Sequence, residues 1–221
     1  MSTNPTRTRA VRVPGPRPVV HPLRGLATAT WSVTELPAGR RRVTIDHAPL
    51  TGVTPDDLLW WFTHLAGTVE YGGTSVERYL AWHPLDHIRW ELARPAPGGG
   101  AAEGARFRIV ERFGAGNPVI DVTERVEKLD ATGIRLVQRR LGVKIFQLEH
   151  TWSASPEGAH YVSVMDIGAR HRWLGAFNRW LTTRAMPAPL CEAWVRHNVE
   201  EVGQLEFLLP QLRPSARAVR S

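Results

Sequence analysis

The chain of 221 residues holds a single cysteine, Cys191. That excludes an intrachain disulfide and any cysteine-built zinc site. It also suits a reducing compartment, so a cytoplasmic location is expected. No apolar run approaches the ~20 residues of a membrane span. The N-terminus has no apolar core of the signal-peptide kind, and no membrane partner is expected. No glycine-rich loop stands between a strand and a helix, which argues against a nucleotide-binding fold. Lysine is almost missing, with only Lys128 and Lys144, so the basic residues are nearly all arginine.

The formal charge of +7 raises the question of nucleic acid. Its distribution argues against that partner. Arg7, Arg9, Arg12 and Arg17 lie in a head punctuated by Pro5, Pro14, Pro16, Pro18 and Pro22, and Arg213, Arg217 and Arg220 lie in the tail. Those ends read as a flexible arm (1–22) and a flexible tail (211–221). Between them, 23–210 reads as one domain, with a hydrophobic content of 43% and a charged content of 22%, typical of a globular protein.

Alternation predicts two short strands at Leu26–Glu35 and Arg42–Asp46. Thr54-Pro55-Asp56-Asp57 is a helix start: Thr54 can cap, Pro55 fits the first turn, and the acids complement the dipole. That helix is expected to end near Gly67, with its aromatic face packed in the core or, alternatively, forming a homodimer contact. Alternation resumes after Asp86, and Ala93–Gly104 is loop. Arg106–Phe113, Val119–Leu129, Ile134–Leu141, Val143–Trp152 and His160–Ile167 then follow at hairpin spacing, which predicts an antiparallel meander. Trp173, Phe177, Trp180 and Leu181 predict a short amphipathic helix whose aromatic face packs over the sheet or a pocket mouth. A long helix closes the chain, preceded by Pro187 and Pro189 and stopped by Pro210. A curved sheet gripping one long helix leaves a central cavity suited to a small, largely apolar ligand.

The long helix carries an oddity. His197 and Glu201 stand four apart on its apolar stripe, with Leu190, Trp194, Leu205 and Leu208. A carboxylate there loses hydration at a cost of several kcal/mol unless compensated. A divalent metal compensates it, and this spacing is the one an HExxH helix uses for zinc. An i,i+4 hydrogen-bonded pair is the alternative. If 86–93 pairs with 105–112 symmetrically about Gly99, His87 faces Glu111 at ~5 Å between Cβ atoms. His87, Glu111, His197 and Glu201 would then form a mixed N/O set, which suits Zn²⁺ and, less well, Fe²⁺ or Mn²⁺. His83 rivals His87, and Glu91 and Glu124 rival Glu111, because one residue of loop asymmetry flips every face.

Tyr79-Leu-Ala-Trp-His83-Pro-Leu-Asp-His87-Ile and His197-Asn-Val-Glu-Glu201-Val-Gly together resemble the 2,4-diacetylphloroglucinol hydrolase family, which includes phloretin hydrolase. The resemblance spans about residues 45–210. It implies an α+β helix-grip fold of the START or Bet v 1 kind, a zinc site of two histidines and two glutamates, and hydrolysis of a carbon–carbon bond beside an aryl ketone. It places His197 and Glu201 in that site, with the upstream histidine in the His83/His87 stretch and the strand glutamate at Glu111. It also offers Tyr79, His150 and Tyr161 as groups that bind a phenolic ketone, with His150 available as acid or base. Longer members carry an extra N-terminal domain, so their dimer arrangement does not transfer. The rival expectation is a non-catalytic polyketide- or lipid-binding protein, or a polyketide-tailoring one, with the same cavity.

Overall fold

The computed structural model describes residue 15 and residues 17–213. Residues 1–14 and 16 of the expected arm and 214–221 of the expected tail lie outside them. The elements run β1 (Ala29–Leu36), β2 (Arg40–His47), β3 (Leu50–Thr51), α1 (Pro55–Thr63), β4 (Thr68–Tyr71), β5 (Thr74–Glu77) and α2 (Arg78–Trp82). Then come β6 (His87–Arg94), β7 (Arg106–Glu111), β8 (Ile120–Asp130), β9 (Gly133–Arg140), β10 (Val143–Ser155), β11 (Gly158–Ile167), α3 (Gly175–Trp180) and α4 (Ala188–Leu212).

One antiparallel sheet takes the order β1-β2-β11-β10-β9-β8-β7-β6, with β3 beside β11, while β4 and β5 form a separate hairpin. Every neighbour from β6 to β11 is also the neighbour in sequence, the meander that the alternation predicts. β1 and β6 end the order without pairing with each other, so the sheet is open. It wraps α4 in a helix-grip α+β arrangement. Gly158 begins β11 at φ +146°, and a Cβ there would stand 1.9 Å from the Leu50 carbonyl oxygen, so only glycine lets β3 pass so close.

Two apolar clusters fill the grip, one on each half of α4. Leu190, Trp194, Val195 and Val199 pack with Val43, Ile45, Phe113 and Met165. Val202, Leu205, Leu208 and Leu209 pack with α1, α2 and the inner faces of β7–β11. His197 and Glu201 lie at the seam between the two clusters. Arg24 straps α4 from outside: it bonds the Ala48 and Pro49 carbonyls at 2.9 Å each, pairs with Glu206 at 2.9 Å, and lies so close to Gly203 that a Cβ there would meet its Cγ at 2.5 Å.

Helix α1 starts as expected. Thr54 accepts from Asp57 N and the Asp57 carboxylate accepts from Thr54 N, a reciprocal capping box. It stops at Thr63, four residues before Gly67, where the Thr63 hydroxyl takes the Leu59 and Trp60 carbonyls. Helix α4 differs from expectation at both ends. Pro187 is its N-cap, Pro189 lies in its first turn, and it passes Pro210 to end at Leu212. A proline one turn from the end removes a single backbone N–H, which the helix tolerates there. The domain therefore extends two residues past 210. Upstream, His21 stacks on Phe207 at 4.8 Å and the Pro22 carbonyl accepts from Gln204 at 2.8 Å, so this part of the expected arm is packed on α4.

The 170–183 segment departs most from expectation. It is a 3-10 turn (Arg172–Leu174), the short α3 and a π turn (Leu181–Ala185). Its two indoles do not pack, Trp173 being 76% exposed and Trp180 53%, whereas Leu181 packs on the core and borders a pocket, as expected. Asn178 anchors the segment instead, bonding the Ala169 N–H and carbonyl and the Ala38 carbonyl at 2.8–2.9 Å.

Candidate metal centre

One turn of α4 puts His197 Nε2 3.7 Å from Glu201 Oε2, both side chains buried. The sheet supplies the facing pair. His87 opens β6 directly opposite Glu111, the last residue of β7. The body of this hairpin is not centred on Gly99: Trp90 pairs with Ile109 and Leu92 with Phe107, a register that would carry His87 past Glu111. A bulge between His87 and Arg89 takes up the extra residue and turns His87 onto the inner face. His87 Nε2 then stands 3.5 Å from Glu111 Oε1 and 3.3 Å from Glu201 Oε2, and His197 Nε2 stands 4.0 Å from Glu111 Oε2. Tetrahedral ligands around zinc at 2.0–2.2 Å are about 3.4 Å apart. His87, His197 and Glu201 bring one ligand atom each within 4.8 Å of one another, while Glu111 turns a different oxygen to each histidine and stands at the edge of that set.

Neighbouring groups fix the tautomers. His87 Nδ1 is 2.6 Å from the Tyr79 carbonyl, which can only accept, so Nδ1 carries the proton and Nε2 is bare. His197 Nδ1 donates to Asp86 Oδ2 at 3.1 Å, leaving its Nε2 bare as well. Burial opposes the Asp86 charge, but the His197 hydrogen bond and nearby histidines outweigh it and hold the carboxyl below its ordinary range. Burial pushes His87 well below the usual imidazole range and His197 down to about 4, so both are neutral. Burial, then the charge of Glu201, pushes Glu111 up to about 8, and burial raises Glu201.

Two bare imidazole nitrogens thus face two buried carboxyl groups whose ionisation burial opposes, and His87 Nε2 has no hydrogen-bond partner. Removal from water penalises both carboxylates. A divalent cation reverses every one of these signs, and the donor set of neutral imidazoles and carboxylates fits zinc. Both carboxylates also accept from the chain: Tyr79 O–H donates to Glu111 Oε1, the oxygen that faces His87, and Asn198 Nδ2 donates to Glu201 Oε1 at 2.5 Å.

The rivals sit elsewhere. His83 has both ring nitrogens engaged, Nδ1 accepting from Asp86 N at 3.1 Å and Nε2 donating to Glu200 at 3.0 Å. It stacks on His197 at 4.5 Å and supports that ring. His83, Asp86 and His197 are close enough to hold an ion, but their nitrogens are committed to these bonds. Glu91 is outside, between Arg89 and Arg108. Glu124 is buried opposite Phe107, four residues along β8 from the partner of Glu111.

Tyr79 belongs to the centre. Besides its bond to Glu111, its ring stacks on His87 at 3.9 Å. His150 and Tyr161 lie in an adjoining aromatic layer, 5.4 Å apart, with Phe62 stacked at 6.1 Å from His150. Ser163 Oγ bridges His150 Nδ1 (2.9 Å) and His47 Nε2 (3.1 Å). Burial drives His150 down to about 3 and His47 to about 4. Among the described residues no hydrogen bond joins His150 or Tyr161 to the four, and the Tyr161 hydroxyl has no partner.

Asp86 and Asn198 were missing from the sequence reading. Only the position of Asp86 beside His87 hinted at it. Because Asp86 sets the His197 tautomer, Asp86→Asn is expected to weaken metal affinity by about 10–100-fold, read by competition with a chromogenic chelator.

A cavity of about 330 Å³ adjoins the centre. Glu111 forms part of its wall, with Phe113, Met165 and Trp194, and Leu181 and Met186 of the 170–186 segment border it. His150, Tyr161 and Tyr79 do not line it. Its size is that of a small-ligand pocket. Among the described residues no helix is long and apolar enough to cross a membrane.

No protein-family model matches this chain, and no curated protein does. Similar solved structures include protein Ms6760 from Mycobacterium smegmatis, at 10% identity and TM-score 0.45, covering 80% of this chain and 96% of that one. Protein NE0264 from Nitrosomonas europaea is 14% identical at TM-score 0.45, covering 81% and 99%. Ara h 8.0201 is 9% identical at TM-score 0.39, covering 72% and 97%. The fold assignment rests on the strand order and helix packing of this chain, which make it an α+β helix-grip scaffold with a histidine–carboxylate cluster beside its cavity.

Proposed function

We propose that this protein is a zinc-dependent hydrolase that cleaves the carbon–carbon bond between an acyl group and a phenolic ring, as in acylphloroglucinols or related β-diketones. One observation carries the reading: two buried, neutral imidazoles present bare Nε2 atoms to two buried carboxylates. The resemblance to the 2,4-diacetylphloroglucinol hydrolase family supplies the reaction. His87, Glu111, His197 and Glu201 would hold the ion. Bound there, zinc supplies Lewis acidity to an acyl carbonyl; Fe²⁺ or Mn²⁺ fits the same donors less well.

The chain's own groups do the rest. Tyr79 and Asn198 pin the carboxylates, and Asp86 and the Tyr79 carbonyl fix the imidazoles. Burial keeps the Tyr79 and Tyr161 phenols protonated and His150 neutral. The Tyr161 hydroxyl, buried without a partner outside the cavity wall, and His150, bonded to Ser163, would meet a ligand only if it reached beyond that wall. The ring carbon that bears the acyl group first takes the proton of a ring hydroxyl, giving the keto tautomer, a β-diketone. The reaction then consumes one water: its hydroxyl joins the acyl carbon, the bond to the ring carbon breaks, the electron pair passes into the ring as a stabilised enolate, and the enolate oxygen takes the remaining proton, giving a carboxylic acid and the deacylated phenol.

Elemental analysis of freshly purified protein, followed by incubation with monoacetylphloroglucinol, tests this. One equivalent of zinc and release of acetate with phloroglucinol are expected; protein without a transition metal, or with metal and no turnover of any aryl ketone, defeats it. The second reading, a non-catalytic polyketide or lipid carrier, draws on the apolar cavity and has no need of a stoichiometric metal.

A further inference from the structure

The cavity beside the centre is apolar except for a few groups, and one of those has no part in the mechanism above. Glu124 lies on its wall and is 3% exposed. Its Oε1 accepts from Gln138 Nε2 at 2.9 Å, and Gln138 lines the same cavity. Its Oε2 has no partner. A half-satisfied carboxyl in an apolar wall is costly, and folding alone gains nothing from it that a leucine would not supply better. Burial raises its pKa to about 7, the mark of a group held at a loss.

We propose that Glu124 is a specificity-determining residue that receives a hydroxyl carried on the far end of the ligand. Ile120, Val122 and Glu124 alternate along β8 and all line the cavity. Ile120 is opposite Glu111, so the Glu124 backbone is four residues, about 13 Å of strand, further along the cavity wall. The ligand class is therefore an aryl ketone that carries a hydrogen-bond donor on the part remote from the metal centre. This deepens the hydrolase reading, on which the word ketone rests, but it is tested by binding and stability, not by turnover.

The probes are para-butylphenol and butylbenzene, which differ by one hydroxyl, titrated calorimetrically into the protein as purified. Wild type is expected to favour the phenol by about tenfold or more, because an unmatched buried acceptor penalises the hydrocarbon. Glu124→Leu is expected to erase or reverse that preference while melting at the same temperature or higher; Glu124→Gln is expected to keep part of it. A Glu124→Leu protein that retains the preference overturns the proposal, as does one that melts lower or fails to fold, since the carboxyl would then be structural. Loss of the preference in His197→Ala with retention in Glu124→Leu assigns the hydroxyl to the metal and also overturns it. A wild type that cleaves aryl ketones without preferring the phenol sinks this inference and leaves the hydrolase; a Glu124-dependent preference without turnover does the reverse.

Discussion

His197→Ala is expected to purify with little bound metal and to lose hydrolysis by about 1,000-fold or more, the scale for removing a group that stabilises developing charge. The imidazole is the decisive donor. It gives the site its preference for a transition metal over harder cations, and without it one nitrogen and two carboxylates remain. Its Nε2 also lies within 4.0 Å of both carboxylates, so its removal leaves Glu111 and Glu201 facing each other across an uncompensated gap. Glu201→Ala leaves two histidines and Glu111, a set that still binds zinc. Its metal content is expected to fall less steeply on dialysis against a chelator, while its activity falls comparably. Inductively coupled plasma mass spectrometry with circular dichroism checks both; a folded His197→Ala protein that keeps its metal and activity refutes the site.

The second large effect is on stability. Metal-free protein is expected to melt at progressively lower temperature as pH rises from about 7 to about 8, and saturating zinc is expected to reduce that slope to the part set by Glu124. The sign follows from proton linkage. Glu111 is raised from 4.5 to about 8 and Glu124 to about 7, so between those values the folded state binds more protons than the unfolded one and stability falls as pH rises. His47, His150 and His197 are lowered from 6.5 to about 4, 3 and 4, and His87 is lowered further still. Their stabilisation is lost as pH falls through 6.5, so their slope opposes that of the carboxylates there and fades within about one pH unit above it. The carboxylates therefore set the sign of the slope from about pH 7 upward. Zinc at 100 times its dissociation constant adds about 2.7 kcal/mol and supplies the countercharge for Glu111. Scanning calorimetry at several pH values, with zinc and with a chelator, reads this; a metal-free protein whose melting temperature rises from about pH 7 to about 8 contradicts it.

Much of this was legible before any coordinates. The strands announced themselves because one face of each is buried against α4, which forces alternation over eight or more residues. The β4–β5 hairpin did not, because four-residue strands around Gly72-Gly73 are too short for a period to register. Trp173 and Trp180 misled, since aromatic spacing is taken for a packed face and here both rings stand in solvent. His197 and Glu201 stood out because a carboxylate on an apolar stripe is an expensive anomaly. The facing of His87 and Glu111 was reached by assuming a symmetric hairpin, whereas the register shifts and a bulge restores it. Asp86 and Asn198 were out of reach: Asp86 meets His197 across 111 residues of chain, and no local spacing encodes such a meeting.

The bulge beside His87 has a consequence for how this hairpin tolerates change. The far end, around Gly98–Gly100, is exposed turn, and residues gained or lost there are absorbed before they reach the centre. The near end holds a single residue of slack. Ile88 is the extra residue of the bulge, so deleting it alone would leave His87 opposite Glu111 in regular pairing on the inner face, whereas deleting Ile88 and Arg89 together would swing His87 outward and remove a nitrogen donor without touching any of the four side chains.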